Sequence, residues 1–275
     1  MKNNNIYISN YVKSSDFIAN IKDSWGCDIM DLISENKFLI TQYKKRETFI
    51  NNVHAYRKKR HYKPLENKYY PDFQLLENQM TSILRKKCTI CFHSTRYTKE
   101  EIERVRKDGL IATNEKSFMC RIEHLLNEKY ITEKQYHKII TLVLEDNRKD
   151  FYESSNQIWF HFGHEDVSTN ARGLSELYNS YGGEAFRNSI ENTQVFRKLT
   201  KKSFPCLVIS HVNLGNLDEN KLSSLARQIL LNYSDKNARK INFEIYFNTK
   251  SIPVLDVIVV GEETKIQYKL KKLKK

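Results

Sequence analysis

Glycine and proline are scarce, with 8 and 4 among 275 residues. So few chain breakers, in a chain rich in Lys, Glu and Asn, point to long helices and short turns rather than long irregular loops. Cysteine is also sparse. The five (Cys27, Cys88, Cys91, Cys120 and Cys206) are odd in number and widely spread, which excludes a disulfide framework and predicts free thiols in a reducing compartment. No apolar run approaches the roughly 18–20 residues that a membrane helix needs. The opening MKNNNIYISN lacks the apolar core of a signal peptide. A cytoplasmic protein with no membrane contact is expected. The sequence also lacks a Gly-rich phosphate loop and a regular βαβ alternation, which argues against a doubly wound sheet.

What is present is a globular composition: 40% hydrophobic and 12% aromatic residues, ample for a real core. Charge is lopsided, with a formal net +13. An excess of that size says nothing about fold but favours a polyanionic partner, either nucleic acid or an acidic protein.

Residues 1–87 read as a mostly helical, basic region. Helical spacing runs through 28–42, with Ile29, Leu32, Ile33, Phe38, Leu39 and Ile40. A basic stretch follows, in which Arg57, Lys58, Lys59 and Arg60 stand among Tyr43, Tyr56, Tyr62, Tyr69 and Tyr70. Its cations suit phosphates and its rings suit stacking on bases, so these four are the candidate nucleic-acid contacts; a solvated helix face is the plainer alternative. Tyr70-Pro71 marks a break, and 73–84 reads as one more helix.

At Cys88 the character changes. CTICFH at 88–93 reads as a buried strand, and Thr98 with Glu101 forms a capping box for the next helix, which Gly109 ends. Two helices are expected over 118–148, the second opened by Thr132 with Gln135. Strands are expected at 158–162 (IWFHF), 206–212, 241–247 and 254–260, with an amphipathic helix through Leu222, Leu225, Ile229 and Leu230. Residues 88–262 therefore form one expected α+β domain around a mostly antiparallel split sheet, and 263–275 a Lys-rich tail.

Phe92-His93-Ser94-Thr95-Arg96, followed by a helix and Gly109-Leu110, resembles the first motif of the ADP-ribosyltransferase superfamily in its diphtheria-toxin and poly-ADP-ribose-polymerase branch. Ser94 stands where that branch has glycine. The strand 158–162, ending in Phe162, and the later Tyr178 and Tyr181 resemble the second motif, in which a tyrosine stacks on nicotinamide. Phe243-Glu244-Ile245, continuing through Ile252-Pro253, resembles the third motif, which supplies a catalytic glutamate. The resemblance implies an ADP-ribosyltransferase-like split sheet and NAD as substrate. His93 would bond the adenosine-side ribose or the diphosphate, with Ser94 and Thr95 beside it and Arg96 as a phosphate contact. Tyr178 or Tyr181 would stack on nicotinamide. Glu244 would be catalytic, with Glu184, beside Gly182-Gly183, in reserve. No metal is needed.

The general look of the sequence is similar to bacterial transferase toxins of anti-phage and toxin–antitoxin systems. It implies an RNA acceptor ahead of DNA, and an antitoxin protein as partner. Modification of a protein side chain, a tRNA 2′-phosphotransferase-like reaction and a non-catalytic RNA-binding module are the alternatives. Cys88-x-x-Cys91 matches half of a zinc site, but residues three apart on a strand face opposite ways. His161 and His164 beside Glu165-Asp166 fit no standard ligand spacing.

Overall fold

In this computed structural model the described residues are 27–57, 65–146, 148–153, 155–161, 181, 186, 190, 193–233 and 244–259. Their elements run α1 (Cys27–Glu35), α2 (Lys37–Arg57), α3 (Tyr70–Leu84), β1 (Cys88–Tyr97), α4 (Lys99–Asp108), β2 (Leu110–Ile111), α5 (Glu115–Asn127), α6 (Glu133–Ile140) and a π-helical turn (Thr141–Asp146). After these come α7 (Arg148–Glu153), β3 (Gln157–His161), α8 (Gln194–Lys202), β4 (Phe204–Asn213), α9 (Glu219–Tyr233), β5 (Glu244–Asn248), β6 (Ser251–Ile252) and β7 (Asp256–Val259). The architecture is α+β. Among the described residues no helix is long and apolar enough to cross a membrane.

The chain divides into two compact units. One takes its described residues from 27–89 and 213–233, the other from 90–212 and 244–259. Residues 213–233, which lie inside the expected 88–262 domain, fall in the helical unit. The amphipathic helix through Leu222 and Leu225 groups with α1–α3, not with the strands on either side of it in sequence. The reason is its apolar face: Leu222, Leu225, Ala226, Ile229 and Leu230 are all fully buried. They share a unit with the equally buried Ile29, Ile40, Tyr43, Phe73, Met80 and Leu84.

Polar groups fix that helical packing. The Tyr43 and Phe73 rings stack with centroids 3.8 Å apart. The Arg227 guanidinium lies against both rings and pairs with Glu77 at 3.4 Å. Pro71 sits in the first turn of α3, where its missing N–H costs nothing, so the break read at Tyr70-Pro71 is a helix start.

The second unit contains a five-stranded sheet of order β5-β3-β1-β4-β7 and a two-stranded sheet of β2 with β6. β1 with β3, β3 with β5 and β4 with β7 pair antiparallel. One apolar cluster joins Ile90, Phe92, Leu207, Ile209 and Ile258 on a shared face of the sheet. A larger one gathers Phe118, Ile122 and Leu125 of α5, Ile139, Val143, Phe151, Tyr181, Phe186 and Leu199. Both capping boxes read from sequence are formed, at Thr98 with Glu101 and at Thr132 with Gln135. A third, Asn114 with Ser117, opens α5.

β2 and β6 were not legible as strands because each is two residues long. They pair Leu110 with Ile252 and Ile111 with Ser251, joining the Gly-Leu turn to the Ile-x-Pro turn. Gly109 makes this possible. Its φ is +86°, and a Cβ there would lie 2.6 Å from the Ile252 carbonyl oxygen. Gly109→Ala is therefore expected to cost about 2 kcal/mol or more, from left-handed strain plus a backbone clash. The shift of the urea midpoint measures it; a change within about 0.5 kcal/mol would contradict the close approach.

Candidate active site

β1 is the strand from which the site is built. His93 lies on the opposite face of β1 from Phe92, with Thr95 and Tyr97 following it on that same face. Its Nδ1 is 2.8 Å from the Trp159 carbonyl oxygen of β3. A carbonyl only accepts, so Nδ1 carries the proton and Nε2 is left as an acceptor on a neutral ring. The ring meets Phe160 edge-on, centroids 6.1 Å apart. Loss of water chiefly, then the nearby His161 and Arg121, hold the His93 imidazole down at about 4, against the Trp159 bond that favours its charge. His161, buried in β3, is likewise held down at about 4 by desolvation.

Beside this strand lies a buried polar network centred on Glu101, which is 4% exposed. Its Oε2 accepts from the Thr98 backbone N–H at 2.7 Å, closing the capping box. Its Oε1 accepts from Arg121 Nε at 2.5 Å and from the Tyr181 hydroxyl at 2.7 Å. The Arg121 guanidinium rests 4.6 Å from the Tyr181 ring centroid and 5.6 Å from that of Tyr97. Burial opposes the charge on Arg121, but Glu101 with the two tyrosines outweighs it, so the group stays a cation. Both phenols are held above their usual range, by desolvation first.

The sequence-based assignments fare unevenly. Tyr181 is not free to stack on a ligand. It is fully buried, its ring covered by Arg121 and Phe186 and its hydroxyl committed to Glu101. Arg96, expected as a phosphate contact, is engaged within the fold. Its Nη2 donates to the carbonyls of Thr200 and Ser203 at 2.9 and 2.6 Å, and its Nε to the Ser203 hydroxyl at 3.2 Å. It thus satisfies the open carbonyls at the end of α8, a favourable place for a cation. Ser94 is buried on the face opposite His93, and Thr95 is buried as well.

Glu244 opens β5. Its backbone pairs with His161, and His161 pairs with Phe92, so the three stand in one row across adjacent strands. Phe162, Tyr178, Glu184 and residues 58–60 lie outside the described residues, as do the side chains of Arg57 at the end of α2 and of Glu244 at the start of β5. Cys88 is exposed and Cys91 buried, as opposite faces of β1 require.

Two residues escaped the sequence reading. His161 looked like part of a poor metal cluster, when it is the central member of the row just described. Arg121 gave a signal that was not used. It stands three residues after Phe118 and four before Leu125, inside the buried stripe of α5. A charge in an apolar stripe requires a buried partner.

The two neutral histidines make stability depend on pH. An unfolded histidine titrates near 6.5, whereas both rings here titrate at about 4. Between those values the unfolded chain binds more protons, so stability falls as pH falls through the window and is complete above it. Urea midpoints should drop from pH 6.5 to pH 4, and His161→Gln should flatten that slope by roughly one proton. An unchanged slope in the variant would contradict the assignment.

No family model, no curated protein and no solved structure matches this chain.

Proposed function

We propose that the chain is an NAD-dependent ADP-ribosyltransferase acting on nucleic acid, RNA ahead of DNA, as a cytoplasmic toxin or anti-phage effector. One observation carries this reading. The three stretches that resemble the family's motifs are far apart in sequence, yet β1, β3 and β5 are neighbours in one sheet. Register sets the Glu244 backbone two strand spacings from β1, about 10 Å, level with Phe92, the residue before His93. The Gly109-Leu110 and Ile252-Pro253 turns, which belong to the first and third motifs, are joined through β2 and β6.

The chemistry of His93 narrows its role. A neutral ring whose Nε2 accepts suits a ribose hydroxyl, which donates, rather than a diphosphate oxygen, which does not. With Tyr181 committed to the core, Tyr178 is the candidate for stacking on the nicotinamide ring. Cleavage of the nicotinamide–ribose bond leaves the bonding pair on nicotinamide, which departs neutral, and builds positive charge on the ribose carbon and ring oxygen. The Glu244 carboxylate stabilises that charge and takes the proton of the attacking acceptor hydroxyl, as carboxylates do in glycoside cleavage.

Incubation of the full chain with NAD labelled in its adenylate phosphate, against separate pools of RNA, DNA and protein, tests the proposal. Label is expected in RNA. Label in protein alone selects the protein-modifying alternative, and label in none of the pools, with folded enzyme, overturns the reading. Glu244→Gln should lower transfer on the order of 10²-fold or more while leaving RNA binding intact. Transfer surviving that change would remove Glu244 from catalysis.

A further inference from the structure

Among the described residues, four buried side-chain atoms have no hydrogen-bond partner: Arg121 Nη2, His124 Nε2, Thr200 Oγ1 and Ser210 Oγ. Only the first belongs to a permanently charged group. A buried donor left open is destabilising, and folds retain one where something else will satisfy it. Arg121 cannot turn to satisfy itself. Glu101 holds its Nε, and the Tyr181 and Tyr97 rings flank its plane. Nη2 is thereby open on a guanidinium that is fixed in direction.

That edge belongs to the site. Tyr97, against which Arg121 rests, shares a face of β1 with His93 and Thr95. The guanidinium is close enough to His93 to oppose its protonation. The Arg121 side chain as a whole keeps 21% of its surface exposed, while Nη2 itself is buried. The other candidate cations are accounted for. His93 is neutral at physiological pH, and Arg96 is spent on the end of α8. A planar guanidinium in a partly desolvated setting is the natural receptor for a phosphate-type oxyanion.

We propose that Arg121 takes a phosphate-type oxyanion on its Nη edge beside His93, with Glu101 as the residue that positions the guanidinium. Resting on the transferase reading above, the oxyanion is a phosphate of the bound dinucleotide. His93 would then hold a ribose hydroxyl and Arg121 the diphosphate, two roles that the sequence had assigned to His93 and Arg96.

Calorimetric titration of the full chain with ADP-ribose, pyrophosphate and adenosine tests this. Two variants are compared with wild type: Arg121→Lys, which keeps the ion pair but loses the planar fork, and the double variant E101Q/R121M, which replaces the buried pair with neutral groups of similar size. In both, affinity for ADP-ribose and pyrophosphate should fall at least tenfold, about a hundredfold in the double variant, while adenosine binding stays unchanged. A merely structural role would weaken all three ligands together or none. Folded variants that bind ADP-ribose and pyrophosphate as wild type does overturn the proposal and leave the transferase reading standing. Wild type that binds neither ADP-ribose nor NAD overturns the transferase reading. Pyrophosphate binding that is lost in the variants would still support the oxyanion site, and no pyrophosphate binding would overturn it as well. Should neither variant fold, the side-chain ¹⁵N resonance of Arg121 in wild type decides: a shift on adding pyrophosphate supports the proposal, and an unmoved resonance at saturation overturns it.

Discussion

The carboxylate of Glu101 is the group on which the sheet unit turns. With two oxygens it caps the first turn of α4, anchors Arg121 of α5 and receives the hydroxyl of Tyr181. Those partners come from stretches 20 and 80 residues away in sequence. A buried pair of this kind adds little net stability over an apolar replacement, because both ions must leave water. What it does add is direction. Loss of either partner would leave the other charged and stranded, which ties α4, the helix that follows the strand bearing His93, to the helix that bears Arg121.

Desolvation sets the character of the neighbouring groups. It keeps the His93 ring uncharged and both tyrosines protonated, leaving Arg121 as the described cation beside that face of β1. The site thus divides its labour between a hydrogen-bond acceptor and a fixed positive charge. That is a suitable pairing for a ligand carrying hydroxyls and phosphates.

Much of the framework was legible in the sequence because the signals are local. The capping boxes at Thr98 and Thr132 need only four residues each, and β1, β3, β4, β5 and β7 announce themselves as short apolar or alternating runs. What was not legible depends on partners far along the chain. Nothing near Arg96 says that the carbonyls of Thr200 and Ser203 await it. Nothing near Tyr181 says that Glu101 and Arg121 will claim both its hydroxyl and its ring. The glycine at 109 was read correctly as a helix end, but its second reason, the Ile252 carbonyl, lies 143 residues away by number. Helix α9 stands between two expected strands in sequence, but its apolar face is equally suited to sheet or helix, and only the assembled core chooses.

That choice by α9 bears on how the protein is made. The ribosome delivers α1–α3 first, with Phe73, Leu76 and Met80 ready to be buried, and α9 emerges more than a hundred residues later. At roughly 5–20 residues per second the early helices wait on the order of ten seconds or more for the segment that completes their core. Over that interval their apolar faces are open to chaperones or to any protein able to bind a half-built bundle. The helical unit therefore cannot be released by cutting the gene at one point, and its maturation is tied to synthesis through the end of α9.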